Sequence, residues 1–197
     1  MISEALKEKI NHSHEVLRLA AKMSAKYYEK PLIITYSGGK DSDVLLHLAL
    51  ECLKPNEFEV LNSHTTVDAP QTVYHIREVF KELEARGIRA TIKYPTMDGK
   101  RVTMWDLIEL KTVPPTRLMR YCCQVLKESS TPNRMAATGV RKDESAQRSQ
   151  QNEFQIRERE REREGTLRVL RSTTQKRFLK RQRPERIKKM ARSGIAV

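Results

Sequence analysis

Residues 31–53 read PLIITYSGGKDSDVLLHLALECL, and this stretch predicts the centre of the fold. Residues 32–36 form an apolar, β-branched run that is typical of a buried strand. Residues 37–42 form a polar turn, and the apolar residues from Val44 onward predict a helix that Asp41 or Ser42 caps. Glycines let a backbone approach a ligand closely, and the first N–H groups of a helix have no partner within it. The strand, the turn and the helix N-terminus therefore predict an anion-binding site.

The turn differs from the two common glycine motifs of nucleotide-binding proteins. A Walker A loop has four residues between its glycines and ends in Lys-Ser or Lys-Thr, whereas here Gly38 and Gly39 are adjacent and Lys40 precedes Asp41. The GxGxxG pattern is absent as well. A strand–turn–helix corner without a ligand is the alternative interpretation. The order SGGKDS directly after a predicted strand favours the anion site.

Further strands are predicted at 58–63, 90–94 and 135–140, and further helices at 71–86, 103–110 and 117–128. Strands that alternate with helices predict an α/β fold, an open, mostly parallel, Rossmann-like sheet with flanking helices and with residues 32–36 in its centre. Ligands of such sheets bind at the carboxyl ends of the strands. We therefore expect the polar segments 37–42, 64–68 and 141–148 to converge on one crevice. Trp105, the only tryptophan, is predicted to be a packing residue.

Charge is distributed unevenly along the chain. Residues 151–197 contain 15 Lys or Arg and 6 Asp or Glu, a net charge of +9. Residues 1–150 contain the other 23 Lys or Arg and 19 Asp or Glu, a net charge of +4. The basic tail includes a strict Arg-Glu alternation and is predicted to be a solvated helix or disordered, with nucleic acid as a partner. We expect an N-terminal helix in 1–29, a nucleotide-binding domain in 30–150 and a basic tail in 151–197.

The sequence predicts a cytoplasmic protein without a membrane partner. No stretch approaches the roughly 20 apolar residues of a membrane span. The N-terminus lacks the basic-then-apolar layout of a signal peptide. The three cysteines, Cys52, Cys122 and Cys123, are sparse and odd in number, which is typical of a reducing compartment.

Four blocks of sequence together resemble the phosphoadenosine phosphosulfate (PAPS) reductase family of the PP-loop, adenine nucleotide α-hydrolase-like superfamily. They are SGGKDSDV at 37–44, NSHTTVDAPQT at 62–72, RYCCQVLK at 120–127 and TGVRKDESAQR at 138–148. The loop is a signal of the superfamily, whereas the paired cysteines and the Gly-Val-Arg block are more specific to the family. The resemblance implies reduction of an adenylylated sulfate to sulfite by a thiol donor such as thioredoxin. It also implies an adenine nucleotide as ligand, whether PAPS, adenylyl sulfate or ATP.

The resemblance implies that the loop residues hold the phosphates of this nucleotide: Ser37, Gly38, Gly39, Lys40, Asp41 and Ser42. Lys40 supplies a point charge, and Asp41 is the ligand for Mg²⁺ if the nucleotide is ATP. Arg141 and Arg148 are expected to clamp an anion, and surface pairing with Asp143 and Glu144 is the alternative. His64 and Asp68 are expected to lie near the sugar or sulfate end of the nucleotide. The alternatives are that His64 is a structural residue and that Asp68 is the N-cap of its helix. No catalytic residue is assigned.

Cys122 and Cys123 allow several assignments. In adenylyl-sulfate reductases a similar pair joins a later Cys-x-x-Cys to hold a four-iron cluster, which needs four thiolates. No cysteine follows Cys123, so a complete cluster within one chain is not expected, and the family's nucleophilic cysteine near the C-terminus is absent too. The pair is a relic, a redox-active pair, half of an intermolecular site or a structural feature. The resemblance implies a truncated, frame-shifted or tail-substituted member of the family.

Two alternatives to the reductase remain at this point. The first is an ATP pyrophosphatase that adenylates its substrate, as in sulfur modification of tRNA or DNA. The second is not an enzyme but a degenerate nucleotide-binding core whose basic tail binds nucleic acid. The sequence leaves the oligomeric state open, a homo-oligomer included.

Overall fold

A computed structural model of the chain describes residues 3–97, 99–117, 119–127, 131, 133–140, 150, 152–154, 157–161 and 167–171. The chain divides into two compact units, Met1–Arg141 and Lys142–Val197. The described helices of the first unit are α1 (Glu4–Met23), α2 (Lys40–Cys52), α3 (Pro70–Ala85) and α4 (Met104–Lys111), with π-helical turns at Ser24–Tyr28 and Cys123–Lys127. Its strands are β1 (Leu32–Thr35), β2 (Phe58–Ser63), β3 (Ala90–Lys93), β4 (Thr96–Met97), β5 (Lys100–Arg101) and β6 (Ala136–Ala137). No described helix is long and apolar enough to cross a membrane.

A parallel sheet of four strands, in the order β3-β2-β1-β6, forms the centre of the first unit. Leu32 of β1 lies opposite Phe58 of β2, and Ile33 lies opposite Ala136 of β6. Leu32 and Ile34 are fully buried, as expected for a strand that is covered on both faces. The predicted α/β class and the central position of residues 32–36 are confirmed.

Helices α2 and α3 pack on this sheet, and α1 packs on α2, through apolar residues at helical spacing. The buried positions are Leu17, Ala20, Ala21 and Met23 on α1, Leu46 and Ala49 on α2, and Ile76, Phe80 and Leu83 on α3. Each large side chain buried in this way stabilises the fold by about 1.5–3 kcal/mol. Pro70 occupies the start of α3, where its fixed φ and missing N–H are tolerated.

A buried ion pair holds the short strand β6 in place. Nη2 of Arg134 donates to Oε1 of Glu59 at 2.9 Å and to the carbonyl of Pro31 at 2.8 Å. Both side chains are largely buried, with 16% and 13% of their surface exposed. Arg134 therefore connects the entry of β6 to β1 and β2, which compensates for a strand of only two residues.

The strand order places a topological switch point at β1. The chain proceeds from β1 through β2 to β3 on one side and returns on the other side with β6. In open parallel sheets ligands bind in the crevice at such a reversal, outside the carboxyl ends of the strands. The residues that follow β1 and β6 therefore lie on either side of this crevice.

Three predicted features of the first unit differ from the structure. The predicted strand 135–140 is reduced to Ala136–Ala137, and among the described residues of the predicted helix 117–128 only 121–127 are helical. Trp105 is 70% exposed, so its prediction as a packing residue is wrong. Helix α4 instead buries Leu107, which packs with Val102 and Leu126. Two residues turn a helix by roughly 200°, and Trp105 therefore lies on the opposite side of α4.

In the second unit the structure describes an antiparallel pair of strands, β7 (Arg157–Arg161) and β8 (Leu167–Arg171). Arg157 lies opposite Arg171 and Arg161 opposite Leu167. The prediction of a helix is therefore wrong for residues 157–161 and 167–171. The Arg-Glu alternation has a period of two, which is the period of a strand. The predicted segment limits at 29 and 150 stay a prediction.

Candidate functional site

The first loop glycine, Gly38, has both a conformational and a packing reason to lack a side chain. Its φ is 73°, in the left-handed region that favours glycine. A Cβ at this position would lie 3.0 Å from Cγ1 of Ile76 and 3.1 Å from Cγ2 of Thr72, both on α3. Gly38 therefore lets the loop pack directly against α3.

The second loop glycine, Gly39, is the N-cap of α2, so neither Asp41 nor Ser42 has the capping position that the sequence predicted. The carbonyl of Gly39 accepts the N–H groups of Ser42 at 2.9 Å and Asp43 at 3.0 Å. Its φ of −103° is open to any residue, and the nearest contact of an added Cβ is Oγ of Ser37 at 3.7 Å. Within the described residues, the space beside Gly39 is thus not filled by protein.

The hydroxyl of Ser42 holds the loop together from inside. It donates to the carbonyl of Gly39 at 2.7 Å and accepts the N–H of Gly39 at 3.1 Å and the hydroxyl of Ser37 at 3.2 Å. Ser42 is buried, whereas Lys40 is exposed. The hydroxyl of Ser42 therefore fixes the shape of the loop, and its predicted contact with a phosphate stays a prediction.

A glycine from the other side of the switch point touches the loop. A Cβ on Gly139 would lie only 2.6 Å from the carbonyl oxygen of Asp41, a distance that no side chain tolerates. The hydroxyl of Thr35 donates to the carbonyl of Ala137 at 2.9 Å, which aligns the ends of β1 and β6. Sequence reasoning noted Gly139 only as part of the Gly-Val-Arg block and gave it no role of its own, although a glycine at the sheet's carboxyl edge is a usable signal.

The residue before the loop, Tyr36, connects α2 to α3. Its buried hydroxyl donates to Oδ1 of Asp43 at 2.6 Å and lies 3.1 Å from Nε2 of His75. A phenol has one proton, so His75 must be the donor in the second bond. Burial, followed by the bond to Asp43, raises the pKa of Tyr36. Nδ2 of Asn62 donates to the carbonyl of Tyr36 at 2.8 Å, which holds the start of the loop against β2.

Residues 64–68, which follow β2, are held by hydrogen bonds within the segment. The N–H of Thr65 donates to Oδ2 of Asp68 at 3.1 Å, and the N–H of Thr66 donates to Nδ1 of His64 at 3.0 Å. The N-cap of α3 is Ala69, so Asp68 is not a helix cap. The hydroxyl of Thr66 accepts the N–H of Met104 at 2.9 Å and thereby positions α4.

Of the three segments expected to converge, two lie at the ends of adjacent strands, 37–42 after β1 and 64–68 after β2. The third, 141–148, lies outside the described residues, and with it the predicted anion clamps Arg141 and Arg148. Residues 138–140, which lead into it, adjoin the loop through Gly139.

Cys122 and Cys123 are half-buried free thiols. Cys122 packs against the cluster of Val102, Leu107 and Leu126. Burial, and then the neighbouring Cys123, raise the pKa of the Cys122 thiol. A raised pKa disfavours the thiolate, which is the reactive and metal-binding form of cysteine. Across the described part of the chain, no group of three or more His, Cys, Asp or Glu side chains could hold a metal ion.

An open groove of about 690 Å³ lies at the opposite, amino edge of the sheet. Its lining includes Arg18 and Lys22 of α1 and Lys54 after α2. Lysine and arginine at the carboxyl ends of helices are explained by the helix dipole. The groove therefore does not compete with the switch-point crevice as the candidate site.

A comparison with protein families finds a match that covers most of the chain. The model described as "Phosphoadenosine phosphosulfate reductase domain" matches residues 31–179. The matched region begins directly before β1, includes the loop and both flanking strands, and extends past the last of the four sequence blocks. A comparison with curated proteins finds no match.

Proposed function

Because the chain belongs to the phosphoadenosine phosphosulfate reductase domain family, we propose that it binds an adenine nucleotide at residues 37–42 and reduces adenylylated sulfate to sulfite. The position of the loop carries this proposal. Residues 37–42 lie at the switch point between β1 and β6, with Gly39 presenting an open backbone at the N-terminus of α2. Such a site favours phosphate through backbone N–H groups and the helix dipole.

The roles of the side chains follow from their chemistry. Lys40 is exposed on the first turn of α2 and supplies a positive charge for the phosphates. Arg141 and Arg148, which follow Gly139 in the chain, are the proposed anion clamps. If the nucleotide is ATP, Asp41 is the proposed ligand for Mg²⁺, which often binds through one or two carboxylates and the phosphates. Asp41 is half-buried and belongs to the loop, which fits that role.

The electrons of the proposed reaction come from a separate thiol donor. Conversion of sulfate to sulfite consumes two electrons, which a dithiol such as reduced thioredoxin supplies by forming its disulfide. Cys122 is a poor candidate for the nucleophile because its pKa is raised rather than lowered. We therefore assign nucleotide binding to this chain and leave its catalytic residue unassigned.

Calorimetry with PAPS, adenylyl sulfate and ATP in turn tests the proposal, followed by a sulfite assay with reduced thioredoxin. We expect a sulfate-bearing nucleotide to bind more tightly than ATP and to yield sulfite. Release of pyrophosphate from Mg-ATP without sulfite would show instead an ATP pyrophosphatase. Salt-dependent binding of RNA or DNA without turnover would show a nucleic-acid-binding protein.

A further inference from the structure

The strands β7 and β8 of the second unit form a two-stranded ribbon whose register separates its charges by face. Along a strand, residues two apart lie on the same face, and residues directly opposite each other in an antiparallel pair share a face. The pairs run from Arg157 opposite Arg171 to Arg161 opposite Leu167. This register therefore assigns each residue of the ribbon to one of two faces.

One of these faces, which we call the arginine face, has cations as its only charged residues. Its members are Arg157, Arg159, Arg161, Leu167, Val169 and Arg171. Four arginines and no carboxylate give it a charge of +4. The members of the opposite face are Glu158, Glu160, Arg168 and Leu170. One arginine and two glutamates give that face a charge of −1. The alternation of Arg and Glu along β7 thus becomes a division between two faces once the segment is a strand.

The arginine face is electrostatically unfavourable without a counter-charge. Arg157 and Arg171 are directly opposite each other, and like charges in such a pair destabilise a sheet. A ribbon of only two strands is marginally stable by itself. A bound polyanion replaces the repulsion among the four arginines by attraction. The face therefore suits a partner with closely spaced negative charges.

The composition and the dimensions of the ribbon favour double-stranded DNA among such partners. None of the ten residues of β7 and β8 is aromatic, whereas proteins that bind single strands stack the bases on aromatic side chains. The two strands are about 4.8 Å apart, and the major groove of B-DNA, about 12 Å wide, admits a two-stranded ribbon. The major groove of duplex RNA is too narrow for side chains to read. Duplex DNA also supplies one negative charge for about every 1.7 Å of its axis.

We infer that the arginine face of the β7–β8 ribbon is a binding surface for double-stranded DNA. The ribbon lies along the major groove, and its four arginines neutralise phosphates that border the groove. Glu158 and Glu160 make the opposite face repel the same phosphates, so that one side of the ribbon is selected. This inference goes beyond the proposed reductase activity and does not depend on it.

The test exchanges two neighbouring residues of the full chain while its composition and net charge stay constant. Glu158→Arg combined with Arg159→Glu leaves three arginines and one glutamate on the arginine face, which lowers its charge from +4 to +2. Fluorescence anisotropy with a short duplex DNA at several salt concentrations measures affinity and its salt dependence. We expect duplex affinity to fall roughly 10- to 100-fold at 0.1 M salt, and the slope of log K against log salt to decrease by about 1–2. A flexible polycation would not respond to this exchange, because its charge is unchanged.

Single substitutions provide a matched pair on the two faces. Arg159→Gln removes one cation from the arginine face and should decrease the salt slope by about 0.9. Arg168→Gln is the control, since it removes the same charge from the opposite face and should leave the slope unchanged. Arg159→Lys keeps the charge and should keep the slope, which separates the loss of a phosphate contact from the loss of the ribbon.

The further probes are the single strand of the same sequence, the corresponding duplex RNA, and vesicles of phosphatidylserine and phosphatidylcholine. The wild-type chain should bind duplex DNA more tightly than any of them. Tighter binding to one of these probes, no binding to duplex DNA, or equal affinity of the exchanged and wild-type chains overturns the inference. None of these results affects nucleotide binding at residues 37–42, which calorimetry measures separately.

Discussion

At the residue scale, three glycines serve the loop in different ways, and this difference gives a sharp prediction. Gly39→Val should abolish nucleotide binding while the chain stays folded. The φ of Gly39 suits any residue, and among the described residues an added Cβ lies within van der Waals distance of Oγ of Ser37 alone. The valine methyl groups would instead occupy the space through which a phosphate approaches the backbone.

Calorimetry measures the nucleotide affinity of Gly39→Val, and thermal melting measures its stability. The matched control is Gly38→Ala, which should lower stability by roughly 1–2 kcal/mol because its φ is left-handed, in addition to its contact with Ile76. Unchanged nucleotide affinity in Gly39→Val would contradict the placement of the site.

Sequence reasoning identified loop residues by type and order but missed their tertiary partners. The six residues SGGKDS are a local pattern that predicts an anion site, and this site stays a prediction. Gly139 matters only because β6 returns beside β1 and brings it against Asp41. Such contacts between distant segments leave no periodicity in the chain.

At the scale of elements, the hydroxyl of Tyr36 connects the two helices that flank the loop. Tyr36→Phe should lower the free energy of unfolding by about 1–2 kcal/mol, because it removes hydrogen bonds to Asp43 and His75, one of them to a charged group. Water can reach the exposed His75, which limits the loss. Urea denaturation measures the change, with Tyr74→Phe on the same helix, 64% exposed, as control. Equal stability of the two variants would show that Tyr36 does not join α2 to α3.

Elements with a clear apolar face were predicted well, and those without one were not. Helix α3, predicted at 71–86, spans Pro70–Ala85, because its buried residues repeat at helical spacing. The predicted helix 117–128 has few such positions, and its described helical residues are 121–127, of which Cys123–Lys127 form a π-helical turn. The Arg-Glu alternation predicted a helix from its charge pairs, whereas a two-residue period is compatible with the observed strand β7.

At the scale of the whole molecule, we expect the basic tail, residues 151–197, to be separable from the rest of the chain, since Met1–Arg141 is a compact unit by itself. Among the residues whose burial the structure describes, which in the tail are few, the buried apolar ones all lie between Leu17 and Leu126. Residues 151–197 carry 15 cations and few apolar residues. Burying that many charges unpaired would cost far more than the roughly 1.5–3 kcal/mol that each large apolar side chain returns.

We therefore expect a chain that ends at Gln150 to fold and to keep its affinity for adenine nucleotide at physiological salt. It retains the loop, the switch point, Arg141 and Arg148. It should lose binding to RNA and DNA, since the net charge of +9 on residues 151–197 is removed. Circular dichroism, calorimetry and nucleic-acid titration measure the three properties, with the full chain at raised salt as control, because salt weakens polyanion binding steeply. The family match extends to residue 179, which makes the opposite result informative. If the shortened chain unfolds or no longer binds nucleotide, residues 151–179 are part of the domain and the predicted boundary at 150 is wrong.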